Sequence, residues 1–168
     1  DAHIGGFIHE KGKGCILVVN KWDLIEKDSQ TLVQYKKRVY EELKYLSYAP
    51  ILFISALTGQ RVPKILDLVD EVVEQAKKRI PTSQLNKHFG QWVEHHPPPL
   101  HKNRNVKLNY ITQISSGPPT FIIYANFPEG IHISYERYLI NQMREAFGFQ
   151  GVPIRLQFRK KSKGYKHG

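Results

Sequence analysis

The chain has a single cysteine, Cys15, and therefore cannot form an internal disulfide. Cys15 stands in the apolar run of residues 15–19, so we predict a small buried core residue rather than a reactive or metal-binding one. The lack of disulfides favours a reducing, cytoplasmic setting. No hydrophobic run is long enough to cross a bilayer and no signal peptide opens the chain, so we expect no membrane partner.

Acidic residues are scarce in the second half of the chain. Residues 80–168 hold 12 Lys and Arg against 4 Asp and Glu, a net charge of +8, whereas residues 1–79 hold 13 against 11, a net charge of +2. A basic surface attracts phosphate-rich partners such as RNA over long range. The segment 80–83 (IPTS) interrupts a helical pattern, so we predict two domains, residues 1–79 and residues 80–168 with a basic C-terminal tail.

An Asn-Lys-x-Asp sequence follows the first apolar run, at Asn20, Lys21 and Asp23. A carboxylate accepts paired hydrogen bonds, so Asp23 can read the N1 and 2-amino donors that guanine carries and adenine lacks. Asn20 can bridge the base edge to neighbouring loops, and the aliphatic stem of Lys21 can lie across the ring. The pattern predicts a guanine-binding loop, and a plain polar turn after a strand is the alternative.

A second candidate loop, Ser55, Ala56 and Leu57, ends the apolar run of residues 51–54. In guanine-nucleotide-binding domains a Ser-Ala-x turn sets a backbone N–H against the guanine O6, and a small residue such as Ala56 lets the main chain approach. Small residues after strands are common, so the prediction of a second guanine-binding loop depends on the order of the two loops along the chain.

The segment between these loops and the segment after them both have helical periodicity. The apolar positions are Leu32, Val39, Leu43 and Leu46 in one segment, and Ile65, Leu66, Val69, Val72, Val73 and Ala76 in the next. We therefore predict an α/β arrangement, β-α-β-α, with a parallel sheet and flanking helices. Both loops would then lie at the carboxyl ends of strands, where such sheets bind ligands.

The residues that handle phosphates are missing. The sequence contains no Gly-x-x-x-x-Gly-Lys-Ser/Thr segment and no Asp-x-x-Gly segment, so it lacks the usual backbone cradle for phosphates and the usual Mg²⁺ ligands. We expect the segment 12–14 (GKG) to end a short helix with Ile4, Phe7 and Ile8 on one face. We predict no catalytic residues in this chain.

The pattern of the second half predicts the order α-β-β-α-β. We expect Ser83 and Ser134 to cap the two helices. Alternation predicts strands over residues 106–114, 120–126 and 154–159, in a small sheet with helices on one face. His95 and His96 are adjacent and point in different directions, so no metal site is predicted.

Six segments, in order and spread over nearly the whole chain, resemble the Der (EngA) family of bacterial ribosome-assembly GTPases. They are residues 20–24 (NKWDL), 48–51 (YAPI), 55–59 (SALTG), 118–121 (PPTF), 134–139 (SYERYL) and 144–154 (REAFGFQGVPI). Members of this family have tandem G domains followed by a KH-like domain. The resemblance implies the C-terminal part of the second, P-loop GTPase domain followed by an α+β KH-like domain.

The same resemblance implies a GTPase that binds GTP or GDP and acts in large-subunit assembly, with the large ribosomal subunit or its RNA, and not DNA, as partner. The matching guanine-binding residues are Asn20, Lys21, Asp23, Ser55, Ala56 and Leu57. Mg²⁺ and hydrolysis are expected only in the complete protein, and this chain is predicted to be inactive alone. The alternative is a non-catalytic module that binds RNA or the ribosome.

Candidate RNA-binding residues lie in the last strand and its tail: Arg155, Arg159, Lys160, Lys161, Lys163 and Lys166. A solubilising basic tail is the alternative. The segment 148–151 (GFQG) has the spelling of a KH backbone-gripping loop, but its place between a helix and a strand favours a helix-ending turn with Phe149 in the core. Tyr110, Phe121, Tyr124 and Phe158 can stack bases or simply fill the core.

Overall fold

The structure is a computed structural model that describes residues 2–26, 28 and 30–161. The chain divides into two compact units. The first unit comprises the residues up to 77 together with 149–153, and the second comprises 78–148 together with the residues from 154 onward. Among the helices of the described residues, none is long and apolar enough to cross a membrane.

The first unit contains a two-stranded parallel sheet with helices around it. Its elements are helix α1 (Ala2–Glu10), strand β1 (Leu17–Val19), helix α2 (Thr31–Glu42), strand β2 (Ile51–Phe53) and helix α3 (Lys64–Lys77). Leu17 lies opposite Ile51 and Val19 opposite Phe53, and the strands run in parallel. The predicted parallel sheet with flanking helices is thus confirmed. The crossover helix is shorter than expected, because α2 ends at Glu42 and Leu46 lies in a separate 3₁₀ turn.

Cys15 belongs to the core of the first unit. It is buried with Leu46, Tyr48 and Ala49, and the partly buried Leu43 packs against this group. Desolvation by burial raises the pKa of the Cys15 thiol, which therefore stays protonated at neutral pH. The prediction of a buried structural cysteine is confirmed.

Helix α1 ends in a glycine turn, as predicted. Gly12 is left-handed at φ 67°, and the Lys13 N–H donates to the Ile8 carbonyl at 3.2 Å. This is the glycine-terminated helix end that satisfies the last carbonyls. The three apolar residues expected on one face all lie in this helix; Ile8 packs against the core, whereas Ile4 and Phe7 are exposed.

The helix starts differ from those expected from the sequence. Residue 83 is already the second residue of helix α4 (Thr82–His95), and residue 134 is likewise inside helix α5 (Ile133–Phe147), so the predicted serine caps are wrong. Asp28 is the acidic residue that does serve a helix start. Its carboxylate accepts the backbone N–H groups of Gln30 and Thr31, both at 2.8 Å. These hydrogen bonds, with that from Gln30 the largest cause, lower the Asp28 pKa.

The second unit has the predicted order α-β-β-α-β. Its elements are α4, strand β3 (Leu108–Ser115), strand β4 (Thr120–Ala125), α5 and strand β5 (Arg155–Lys160). The sheet order is β3-β4-β5; β3 and β4 are antiparallel and β4 and β5 are parallel. This topology agrees with an α+β domain of the KH-like type.

The core of the second unit lies between the helices and one face of the sheet. Its fully or almost fully buried side chains are Leu85, Phe89, Ile111, Phe121, Ile123, Leu139 and Met143. Two tyrosines of α5 close the end of α4. The Tyr135 hydroxyl donates to the His96 carbonyl at 2.7 Å and the Tyr138 hydroxyl to the Trp92 carbonyl at 2.9 Å. The Trp92 carbonyl also accepts the His96 N–H at 3.0 Å, so the Tyr138 hydroxyl adds a second hydrogen bond there.

Candidate functional site

The two predicted guanine-binding loops lie together at the carboxyl ends of β1 and β2 in the first unit's sheet. Because β1 and β2 are parallel, the residues after Val19 and after Phe53 emerge at the same end. Backbone hydrogen bonds continue past the strands: the Ile54 N–H donates to the Val19 carbonyl and the Trp22 N–H to the Ile54 carbonyl, both at 2.9 Å. The loops are therefore held side by side by main-chain contacts.

Asn20 links the two loops through its side chain. Its Oδ1 accepts the N–H of Lys21 at 2.7 Å and the N–H of Ala56 at 3.0 Å. Asn20 was predicted to bridge the base edge to neighbouring loops, and this geometry supplies its link to the second loop. The Ala56 N–H that is expected to meet guanine O6 is bonded to Asn20 here, so a bound base would have to share this donor.

Lys21 has a left-handed backbone, with φ 61° and ψ 33°. This conformation costs a non-glycine residue about 1–2 kcal/mol and occurs preferentially at functional sites. It leads into a single 3₁₀ turn, Trp22–Leu24, in which the buried Trp22 packs on Phe53 at a ring-centroid distance of 4.4 Å. Asp23 in the same turn is partly exposed. The aromatic anchor fixes the turn while the carboxylate stays accessible.

The second loop is closed by Ser55. The Ser55 side chain is fully buried; its Oγ accepts the Thr58 N–H at 3.2 Å, and its backbone N–H donates to the Gln60 carbonyl at 3.1 Å. Ala56 and Leu57 are exposed at the tip, and 88% of the Leu57 surface is accessible. Ser55 therefore shapes the loop from inside, while Ala56 and Leu57 are available to a ligand.

The two loops bring together side chains and backbone groups that can form hydrogen bonds. They offer one accessible carboxylate, one cation on Lys21 and a row of backbone groups. Within the described residues, His, Cys, Asp and Glu side chains do not gather in groups of three that could hold a metal ion. Trp22 was not among the predicted site residues, although a large aromatic between a lysine and an aspartate in a tight loop is a recognisable signal for an anchor.

The candidate RNA-binding residues lie on the edge strand β5 and just after it. Arg155, Arg159, Lys160 and Lys161 are all exposed. The Arg159 Nη2 donates to the Gln157 Oε1 at 2.9 Å, which orients the guanidinium. The remaining two predicted residues, Lys163 and Lys166, lie outside the described residues.

Two residues of the segment 148–151, Phe149 and Gly151, are buried, while Gly148 and Gln150 are exposed. Phe149 is fully buried, which confirms its predicted place in the core. Gly151 uses both its backbone groups, because its N–H donates to the Tyr48 carbonyl at 2.8 Å and its carbonyl accepts the Cys15 N–H at 2.7 Å. These contacts fall within the first unit, to which residues 149–153 belong. The N–H of Gly151 is therefore engaged within the protein and is not offered to a nucleic-acid backbone.

Comparison with known proteins identifies the second unit first. Residues 79–159 match the KH-domain-like family described as C-terminal in EngA bacterial GTPase enzymes. The α-β-β-α-β order of this stretch agrees with that match. The chain therefore contains a KH-like domain of the EngA class.

Longer matches name the protein to which the chain is related. It is 52% identical to GTPase Der of Desulforamulus reducens over 161 residues, which is 96% of this chain and 37% of the relative. It is also 52% identical to GTPase Der of Moorella thermoacetica (95% and 36%) and 50% identical to GTPase Der of Geotalea daltonii (100% and 38%). The chain is thus homologous to the C-terminal part of GTPase Der, as its motifs indicated, and spans a little over a third of these curated relatives.

Proposed function

We propose that the chain is the C-terminal part of a cytoplasmic, GTP-hydrolysing protein of large-subunit ribosome assembly. In this proposal residues 1–79 contribute the base-reading portion of a P-loop GTPase domain, and residues 80–168 contact ribosomal RNA. The observation that carries the first assignment is the hydrogen bond from the Ala56 N–H to the Asn20 side chain, which joins the Asn-Lys-x-Asp loop to the Ser-Ala-Leu loop. GTP or GDP is the ligand, and Mg²⁺ belongs to the complete protein.

Exposed apolar surface in the first unit supports the idea of a partial domain. Among the described residues, β1 pairs only with β2, so one of its edges is open. Val18 on β1 is 41% exposed, Leu66 on α3 is 71% exposed and Phe7 on α1 is 59% exposed. An open parallel edge flanked by exposed apolar side chains is what remains when neighbouring elements are absent, because parallel sheets are normally covered on both faces.

Nucleotide binding by this chain is expected to depend on the base alone. We predict dissociation constants of about 1 mM, equivalent to about 4 kcal/mol, for guanosine, GMP and GDP alike. Most nucleotide affinity in GTPases comes from phosphate and Mg²⁺ contacts that this sequence does not supply. Titrations followed by the backbone amide signals of Lys21 and Ala56, with and without Mg²⁺, measure this directly.

The controls separate base recognition from general anion binding. Adenosine should shift neither signal, and Asp23→Ala should abolish the guanosine response because the acceptor for N1 and the 2-amino group is gone. Asp70→Ala removes the same charge at an exposed position of α3 and should leave the titration unchanged. GDP binding that is much tighter than guanosine binding and dependent on Mg²⁺, or measurable GTP turnover, would contradict the proposal.

RNA binding is expected to follow the basic residues of β5. We predict that the combined change of Arg155, Arg159, Lys160 and Lys161 to Gln weakens binding to ribosomal RNA and flattens its salt dependence. Each lost phosphate contact should reduce the slope of log K against log[salt] by about 0.7–0.9. Filter binding between low and moderate salt gives the slope.

A matched control removes four exposed cations from the first unit. These are Lys13, Lys36, Lys44 and Lys64. If both quadruple variants flatten the slope equally, binding follows net charge and not the β5 surface, and the assignment to β5 is wrong. Deleting residues 162–168 then isolates the contribution of Lys163 and Lys166.

The second candidate function is a module that binds RNA or the ribosome without any nucleotide. The favourable observation is the concentration of positive charge in residues 80–168, which needs no GTPase activity to act. RNA affinity that is retained while guanosine fails to shift Lys21 and Ala56 would favour this alternative.

A further inference from the structure

The face of the second unit's sheet that lies opposite the buried core has an unusual cross-strand row. Strand register places Tyr110 of β3 opposite Tyr124 of β4, and Tyr124 opposite Arg159 of β5. The row therefore runs aromatic, aromatic, guanidinium across all three strands. In the next row Ile122 of β4 is buried and Gln157 of β5 is exposed, so the accessible part of this face includes Tyr110, Arg155, Gln157 and Arg159.

The two tyrosines stack on one another. Their ring centroids are 4.5 Å apart and their planes differ by 21°. Tyr110 lies on the edge strand and is 38% exposed, while Tyr124 on the central strand is partly buried. Desolvation and then the neighbouring Tyr124 raise the pKa of Tyr110, so its ring carries no charge at neutral pH. One tyrosine thus supports the other and leaves an aromatic surface accessible at the sheet edge.

Acidic and basic residues of the second unit are separated between its helical segments and its sheet. All four acidic residues between positions 80 and 168 lie in helical segments: Glu94, Glu129, Glu136 and Glu145. The three strands contain no acidic residue, and β5 contributes Arg155 and Arg159 to the same face as the tyrosine pair. The sheet is therefore the positive side of this unit. The Arg159 guanidinium is bonded to Gln157, the neighbouring residue on the same face of β5.

We propose that the row of Tyr110, Tyr124 and Arg159, together with Arg155, is a binding platform for single-stranded RNA. A base stacks on the exposed side of Tyr110, and the two guanidinium groups contact the flanking phosphates. This inference rests on the proposed RNA-binding function and specifies where and in what form the RNA is bound. It places recognition on the strands and not on the segment 148–151.

The chemistry favours unpaired RNA over a duplex. Every base has a π face, so stacking on tyrosine accepts any sequence, but in a duplex that face is already occupied by its neighbours. An arginine contributes both charge and a planar group that can lie against a base. The platform is accordingly expected to prefer single-stranded loops and to show little sequence preference.

The test compares stacking variants with charge variants in the whole chain. With a fluorescein-labelled, unstructured RNA of about 12 nucleotides, Tyr110→Leu should weaken binding by about 5- to 100-fold, the effect of losing one stacked base. Tyr110→Phe retains the ring and should bind like the parent chain. Arg159→Gln should weaken binding, whereas Arg137→Gln, an equal charge change at an exposed position of α5, should not. Circular dichroism and thermal unfolding check that each variant is folded.

The outcomes distinguish this inference from the broader proposal. If Arg159→Gln weakens binding but Tyr110→Leu does not, RNA is held by charge along β5 and the platform is wrong while RNA binding stands. If the parent chain binds neither single-stranded RNA nor ribosomal RNA, both proposals fail. If polyglutamate competes as well as RNA and its binding is insensitive to Tyr110→Leu, the surface takes acidic polymers in general, which also overturns base stacking.

Discussion

Replacing Gly151 with alanine is expected to destabilise the first unit by about 2–5 kcal/mol, from left-handed strain and from overpacking. The backbone of Gly151 has φ +81°, and a Cβ added there would lie 2.3 Å from Cγ2 of Val72. The residue cannot move away freely, because its N–H and carbonyl are bonded to Tyr48 and Cys15. Urea unfolding followed by Trp22 fluorescence, in a Trp92→Phe background, reports on the first unit.

Gly59 provides a matched control for the strain term. It lies in the same unit at φ +77°, and the position of an added Cβ has no other atom within 4 Å, so Gly59→Ala should cost only about 1–2 kcal/mol. Combining Gly151→Ala with Val72→Ala removes the clashing methyl groups, and the double variant should lose less stability than the sum of the single changes. Equal losses of unfolding free energy for Gly151→Ala and Gly59→Ala would show that the contact with Val72 does not contribute to the destabilisation.

Sequence patterns predicted the elements of this fold well wherever a few consecutive residues determine the element. Apolar alternation indicated the strands of the second unit, and the order of motifs placed Asn20 and Ala56 at neighbouring strand ends, where they are hydrogen-bonded. Glycine chemistry predicted the end of α1 in the segment 12–14, where Gly12 is left-handed. These successes share a cause, since side-chain period and backbone freedom are properties of a few consecutive residues.

The features that escaped prediction depend mostly on partners far away in the chain. Nothing local in residues 149–153 shows that they pack with Cys15 and Tyr48, which lie much earlier in the sequence. Pairing of Tyr110 with Tyr124 likewise required the strand register, which bulges in β3 shift. The serine caps failed for a local reason, because the residue before each serine already belongs to the helix. The guanine and RNA assignments remain predictions.

Asn86 was not singled out by its sequence context, yet it protects an exposed strand edge. The Asn86 side chain accepts the Ile111 N–H at 2.9 Å and donates to the Ile111 carbonyl at 2.8 Å. Within the described residues β3 is an edge strand, so these two groups of the fully buried Ile111 have no strand partner on that side. A side-chain amide on α4 thus takes the place of a fourth strand and covers the edge.

Asn86→Ala is therefore expected to destabilise the second unit by about 2–4 kcal/mol, because two backbone groups lose their partners at about 1–3 kcal/mol each. Amide hydrogen exchange at Ile111 should accelerate in the variant, and urea unfolding followed by Trp92 fluorescence in a Trp22→Phe background gives the free energy of unfolding. Asn141→Ala, at an exposed position of α5, serves as control and should change stability by less than about 0.5 kcal/mol. A loss below about 1 kcal/mol for Asn86→Ala would mean that water replaces the amide at the strand edge without cost.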